Sequence, residues 1–179
     1  MKRLFISLLL LVAAFCATAS DKPRVSRSML GAMERSLDTR VTKLWDDNPF
    51  VLLGATRGIY LEGYGAVFTA EVNLATGPTM IMRADVTKEE KDHHRQKKIE
   101  RLPQLKRMLR QALVDSAASL DTVPPEEQIV IAVFLTRYTW EDATGLPVQL
   151  ILQAPKKKLL DAQHSAGANL EAAIHVTEY

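Results

Sequence analysis

The densest group of possible metal ligands and acid–base residues in this sequence lies within one short stretch. It contains Glu90, Asp92, His93 and His94. On a helix, Glu90 and His94 stand four residues apart on one face, a spacing that can hold a divalent ion. The sequence indicates no third ligand, and the zinc motif of two histidines flanking a glutamate is absent. We therefore favour a solvated helical turn with ion pairs, and predict no metal ion or other cofactor.

Nucleophilic catalysis has no recognisable motif in this chain. The Gly-x-Ser-x-Gly turn is absent, and Ser116 and Ser119 lie inside an amphipathic helical pattern. His164 and His175 are isolated, and each is more typical of a surface or edge polar group than of an acid–base catalyst. No catalytic residue is predicted.

An exported hydrolase is kept as an alternative, with acid–base groups that meet only in the fold. The candidate pairs are Glu62 with Glu71, and His164 with Glu141. Two carboxylates that face a cleft at a separation of about 5–10 Å would support this alternative.

The most distinctive local segment is Gly63-Tyr64-Gly65, which Tyr60 and Glu62 flank. Aromatic rings on the exposed edge of a hairpin can stack on a sugar or a peptide. Tyr138 and Trp140, at the end of the predicted central strand, extend this candidate surface. The alternative, which we favour, is that the rings close the ends of the core or cover sheet edges.

Basic residues are frequent between Lys88 and Arg110, and Lys156-Lys157-Lys158 forms a second basic patch. Such runs can attract anionic lipid head groups. Acidic residues interrupt the first run, which lowers the local field and offers ion pairs four residues apart. A solvated helix face is favoured. Attachment to an anionic membrane through residues 88–110 is kept as a second alternative, with Arg95, Lys97 and Lys98 among the candidate contacts.

Three helices are predicted to position these residues. Apolar residues at steps of three and four predict a helix over Ser26 to Asp46. Thr87-Lys88-Glu89-Glu90 matches a capping box, which predicts the start of a long helix. Pro103 leaves open whether residues 88–120 form one helix or two. A short third helix is predicted from Pro155 through Ala162.

Two hairpins and one further strand are predicted. The first hairpin covers Phe50 to Leu61 and Gly65 to Leu74, and its second strand alternates between apolar and polar residues. Ile129 to Trp140 is apolar on both faces, which predicts a central strand covered on both sides, and Val148 to Gln153 returns beside it. Ile174 to Tyr179 is the last predicted strand. The order predicts an α+β fold, with helices packed on a mainly antiparallel sheet of about five strands.

The first nineteen residues indicate a signal peptide. Lys2 and Arg3 precede an apolar run, and Ala17-Thr18-Ala19 is a pattern that signal peptidase accepts, with cleavage before Ser20. The run is too short to cross a bilayer, which needs about 20 residues. Lipidation of Cys16 is an alternative, but a bulky residue precedes this cysteine where lipoprotein signals have a small one.

Cleavage would leave residues 20–179, which we predict to form a single globular domain. Because Lys2 and Arg3 leave with the leader, 21 basic and 21 acidic residues remain. A neutral chain has no overall attraction to nucleic acid, so no nucleic-acid partner is predicted. The only cysteine leaves as well, so no disulfide or thiol nucleophile is expected. The predicted location is the periplasm or the exterior of the cell.

Together these features predict a non-enzymatic domain that binds another protein or a surface in the cell envelope. The expected partner is another envelope or extracellular protein. The sequence carries no prediction of oligomeric state. The possible interaction surface combines the hairpin residues with nearby aromatic and basic side chains: Tyr60, Glu62, Tyr64, Tyr138, Trp140, Arg95, Lys97 and Lys98.

Overall fold

A computed structural model of the chain describes residues 25–48, 51–77, 85–164 and 170–179. The helices and strands, in chain order, are α1 Arg27–Thr42, β1 Arg57–Leu61, β2 Gly65–Val72, α2 Lys88–Ser119, β3 Gln128–Leu135, β4 Gln149–Pro155, α3 Lys156–His164, α4 Leu170–Ala173 and β5 His175–Glu178. The predicted α+β fold with a mainly antiparallel, five-stranded sheet is confirmed.

The strands lie in the sheet in the same order as in the sequence. Three of the four strand pairs are antiparallel, whereas β2 and β3 run parallel, with Ala66 opposite Ile129 and Val72 opposite Leu135. Parallel neighbours need a crossover connection, and α2 lies in that connection. The carboxyl ends of β2 and β3 therefore lie side by side, and the chain enters α2 from that end of the sheet.

The bounds of α1 and β1 differ from the predicted ones, although α1 starts next to a capping residue. α1 starts one residue after Ser26, whose hydroxyl accepts a hydrogen bond from the Met29 N–H at 3.2 Å. It ends at Thr42, four residues earlier than predicted. β1 begins only at Arg57, well after the predicted start, because Gly54 has a φ of +81°, which interrupts an extended strand.

α2 is one continuous helix of 32 residues, so Pro103 does not divide it. The predicted capping box is present, since the Thr87 hydroxyl accepts from the Glu90 N–H and the Glu90 carboxylate accepts from the Thr87 N–H. Pro103 is exposed, so carbonyl groups that its ring displaces can bond to water. At the other end of α2, the buried Lys156 ammonium donates to three carbonyl oxygens, those of Leu120, Asp121 and Val123.

The helices and one face of the sheet share a hydrophobic core. Phe68, Ile131 and Leu152 are fully buried on that face and lie in register across β2, β3 and β4. On the opposite face Val130 and Ala132 of β3 are also buried, yet no described helix packs there. We call this second side of the sheet the open face. Its residues include Arg57, Ile59, Leu61, Val67, Thr69, Glu71, Val130, Ala132, Phe134, Ile151, Gln153, His175 and Thr177.

Candidate functional site

The residues of the predicted interaction surface form two groups at opposite ends of β2. One group, Tyr60, Glu62 and Tyr64, lies at the β1–β2 turn. The other group lies where β2 and β3 end, and consists of Tyr138, Trp140, Arg95, Lys97 and Lys98. The eight residues of β2, at a rise of about 3.3 Å each, separate the two ends by about 23 Å. The eight predicted residues therefore do not form one surface.

At the β1–β2 turn, a buried carboxylate ties the hairpin to the segment that precedes β3. Glu127 Oε1 accepts hydrogen bonds from the Tyr60 hydroxyl and from the Gly63 N–H, both at 3.2 Å. The Tyr60 ring also packs against the core. Glu62 and Tyr64 are exposed. Of the two tyrosines predicted to meet a partner here, only Tyr64 stands largely in solvent.

At the other end of β2, three ionisable side chains are buried together. His94, Lys98 and Glu141 have side chains that are only 4 %, 4 % and 3 % exposed, and we call them the His94 cluster. His94 Nε2 lies 3.0 Å from Glu141 Oε2. Lys98 Nζ donates to both Glu141 oxygens, at 2.8 and 2.6 Å, and to the Thr136 carbonyl at 2.9 Å. The backbone of Thr76 forms a further hydrogen bond to His94.

Two aromatic rings pack against the His94 cluster. Tyr138 and Trp140 stack on each other at 5.2 Å between ring centroids, and the His94 ring meets Trp140 edge-on at 4.9 Å. The Tyr138 hydroxyl accepts hydrogen bonds from the Asn73 side chain and the Gly77 N–H. A Cβ atom on Gly77 would lie 2.8 Å from the Trp140 ring, so only glycine permits this close approach. The rings thus close this end of the fold.

Burial dominates the ionisation of the basic members of the cluster. Loss of solvation lowers the pKa of His94 below its ordinary value of 6.5, and the Lys98 charge lowers it further, while contacts with Glu141 oppose the shift. Burial also lowers the pKa of Lys98 below 10.5, against the attraction of Glu141. The three groups bond one another and nearby backbone, so the cluster joins α2 to the segments that follow β2 and β3.

The cations predicted as surface contacts are held by partners within the chain. Lys97 forms an ion pair with Asp47 at 2.6 Å, and Arg95 lies 3.5 Å from Asp142 and donates to the Thr144 carbonyl. Lys98 belongs to the His94 cluster. Internal carboxylates therefore weaken the local positive field along this part of α2, which lowers its attraction for an anionic surface.

Sequence reasoning paired Glu141 with His164 instead of His94 and Lys98, and it missed the burial of His94, Lys98 and Arg101. Arg101 donates to the Leu74 carbonyl at 2.9 Å, pairs with Asp47 and lies over the Trp45 ring. The available signal was spacing. His94, Lys98 and Leu102 follow one another at four-residue steps, so the polar residues continue the apolar stripe of α2 toward its start.

A cleft of about 350 Å³ opens beside His94 and is lined by Thr76, Gly77, Glu89, Glu90, His93, His94 and Lys97. Glu90 caps the helix and His94 bonds Glu141, so a metal ion bound by this pair would have to displace both contacts. Over the described ranges, no group of three or more His, Asp or Glu side chains is placed to hold a metal ion. The described helices include none that is long and apolar enough to span a membrane.

Neither acid–base pair proposed for a hydrolase forms. Glu62 and Glu71 lie near opposite ends of β2. His164 Nδ1 lies 2.7 Å from the Leu160 carbonyl oxygen, and Glu141 is bound by the other members of the His94 cluster.

The open face carries the largest exposed apolar side chains of the sheet. Ile59, Leu61 and Phe134 are 54 %, 47 % and 47 % exposed. A shallow groove of about 220 Å³ lies beside Phe134, with Arg57 and Glu71 both in its lining. Thr136 donates a hydrogen bond to Glu71 at 3.1 Å, which fixes one side of the groove. This surface is mainly apolar and carries few charges, as protein-binding surfaces commonly do.

Acid should destabilise the protein through His94. The folded pKa of His94 lies below 6.5, so on acidification the unfolded chain takes up this proton first. The free energy of unfolding should therefore fall as the pH drops from about 6.5 toward the lower folded pKa. We expect His94→Gln to flatten this dependence in urea unfolding at pH 7.5 and 5.5. The exposed neighbour variant His93→Gln should keep the wild-type slope, and equal slopes in all three proteins would contradict the assignment.

Comparisons of the chain with models of protein families, with curated proteins and with solved structures found no match.

Proposed function

We propose that this protein is an exported, non-enzymatic domain that binds another protein of the cell envelope through the open face of its sheet. The observation that carries the proposal is the exposure of Ile59, Leu61 and Phe134 on a sheet face that no described helix covers. Full burial of an exposed side chain of this size contributes about 1.5–3 kcal/mol, and because these three are already about half buried, covering each one contributes about half of that.

The chemistry of the open face defines the kind of partner. Apolar side chains from β1, β2 and β3 predominate on it, and its uncharged polar residues include Thr69, Gln153 and Thr177. Arg57 and Glu71, which line the groove, are among its few charged residues. The partner is therefore a protein with an uncharged, apolar contact surface and a polar rim that can meet one cation and one anion.

Two features of the rest of the chain support this proposal over its alternatives. The leader-like start fits an exported domain. The ion pairs of Lys97 and Lys98 with internal carboxylates argue against attachment to an anionic membrane through α2. The His94 cluster is satisfied by contacts within the fold, which supports a structural role for it.

Site-specific photo-cross-linking tests the proposal in the producing cell. A benzophenone amino acid replaces Phe134 on the open face in one variant and Ile99, which is exposed on α2, in a matched control. We expect the Phe134 variant alone to form a discrete adduct with another protein. Mass spectrometry of the exported fraction should show a chain that begins at Ser20.

Three results would overturn the proposal. Equal adducts at positions 134 and 99 would show that the open face has no preference for a partner. A chain that keeps Met1 and stays in the cytosol would exclude the proposed location in the cell envelope. Cross-linking to lipid rather than to protein would favour the membrane alternative.

A further inference from the structure

Among the described residues, the backbone hydrogen bonds of β5 all run to β4 and leave its outer edge without a partner strand. Tyr179 exchanges backbone hydrogen bonds with Gln149, the first residue of β4, with nitrogen to oxygen distances of 3.1 and 3.4 Å. Hydrogen-bonded pairs alternate along an antiparallel ladder, so Thr177 and His175 also direct their backbone groups toward β4. Val176 and Glu178 then direct theirs outward, where no bond to the described part of the chain engages them.

The edge formed by β1 is covered, in contrast to that of β5. Glu34 of α1 accepts a hydrogen bond from the Gly58 N–H at 2.6 Å, and Arg27 donates to the Gly58 carbonyl at 3.1 Å. Asp38 accepts from the Thr56 N–H at 2.9 Å. Side chains of α1 thus occupy the outward backbone groups that another strand would need, a common way to block a sheet edge.

We propose that β5 pairs antiparallel with β5 of a second copy of this chain, which joins two five-stranded sheets into one of ten strands. The partner strand is β5 of a second copy because the outward backbone N–H and C=O groups of β5 complement one another about a two-fold axis. Val176 of one copy exchanges hydrogen bonds with Glu178 of the other, and Glu178 with Val176. Thr177 lies on the axis, opposite its own copy.

The side chains on the open face fit this register. Two threonines that face each other across an antiparallel pair form a favourable contact. His175 of each copy lies opposite Tyr179 of the other copy, so the dimer contains two such pairs. The Tyr179 side chain is the most exposed large apolar group among the described residues, at 65 %, so pairing gives it a ring to pack against. The proposal does not depend on the proposed function, although it would double the area of the open face.

Cysteine cross-linking tests the register. Cys16→Ser removes the only natural thiol, and Thr177→Cys is added to that chain. In a non-hydrogen-bonded pair the two Cα atoms lie about 4.5 Å apart, within the range of a disulfide. In the control, His175→Cys, the cysteines of the two chains are offset by four residues along the paired strands, a separation of about 13 Å. On mild oxidation by air and copper, we expect a covalent dimer from Thr177→Cys and none from His175→Cys.

A second comparison separates the backbone contact from the side chain. Glu178→Pro removes an outward N–H that β4 does not use, and edge strands tolerate proline there. Glu178→Ala removes the same carboxylate, which pairs with Lys106, but keeps the N–H. By sedimentation equilibrium we expect the proline variant to raise the dimer dissociation constant at least tenfold above that of the alanine variant, with unchanged circular dichroism. A wild-type chain that is monomeric at 100 µM, or equal cross-linking of both cysteine variants, would overturn the proposal.

Discussion

Replacing Glu141 with alanine should lower the free energy of unfolding by about 3–5 kcal/mol, the usual loss when one partner of a buried ion pair is removed. The Glu141 side chain accepts two hydrogen bonds from Lys98 and lies against His94, and all three side chains are almost fully buried. Without the carboxylate, the Lys98 ammonium keeps the Thr136 carbonyl as its one hydrogen-bond partner among the described residues, beside the Tyr138 ring. Urea unfolding followed by far-UV circular dichroism measures the loss.

A neighbouring residue supplies the control for Glu141. Asp142 is exposed and pairs with Arg95 at the surface, so Asp142→Ala should change the free energy of unfolding by less than about 1 kcal/mol. The double variant Lys98→Met with Glu141→Leu should be more stable than Glu141→Ala, because it leaves no buried charge unpaired. If Glu141→Ala lost no more stability than Asp142→Ala, the His94 cluster would not hold this end of the fold together.

Replacing Gly65 with alanine should cost about 4 kcal/mol. Gly65 opens β2 with a φ of +136°, and a Cβ atom there would lie 1.9 Å from the carbonyl oxygen of Gln128 in β3. Strain of the backbone contributes about 1–3 kcal/mol, and overpacking against fixed atoms contributes a similar amount. The parallel pairing of β2 with β3 begins at this residue pair, so the substitution should be measured by thermal and urea unfolding.

The adjacent turn provides a matched glycine for comparison. Gly63 has a φ of +78°, but no atom lies within 4 Å of the position that a Cβ would take. Gly63→Ala should therefore show the backbone cost alone, about 1–2 kcal/mol. Similar losses at positions 63 and 65 would mean that the close approach to Gln128 contributes nothing.

Local signals in the sequence predicted much of the secondary structure. The Thr87–Glu90 capping box marks a helix start that the structure contains, because this cap involves residues three positions apart. The apolar residues of β2 alternate with polar ones, and this local pattern predicted which face of the strand is buried. The predicted first strand was too long, since its apolar residues do not reveal that Gly54 adopts a positive φ.

The candidate surfaces were predicted less well than the elements. Tyr138 and Trp140 were candidates for an interaction surface, but the favoured interpretation was that their rings close an end of the core, and their contacts with His94 agree with it. Lys98 was expected in solvent because charged residues surround it in the sequence, but Glu141 permits its burial. The open face could be anticipated only in part, because alternation shows that a strand has two faces and not which one the helices cover.

By itself, the sequence determined the features that residues set with their near neighbours: the capping box of α2, the strand alternation, the α+β class and the pattern of a leader. Only the tertiary structure decided which distant groups meet. Glu141 is 47 residues from His94 and 43 from Lys98, and β2 reaches its parallel partner across the whole of α2. Periodicity reports contacts within a few residues along the chain, whereas these contacts depend on how the packed elements bring remote segments together.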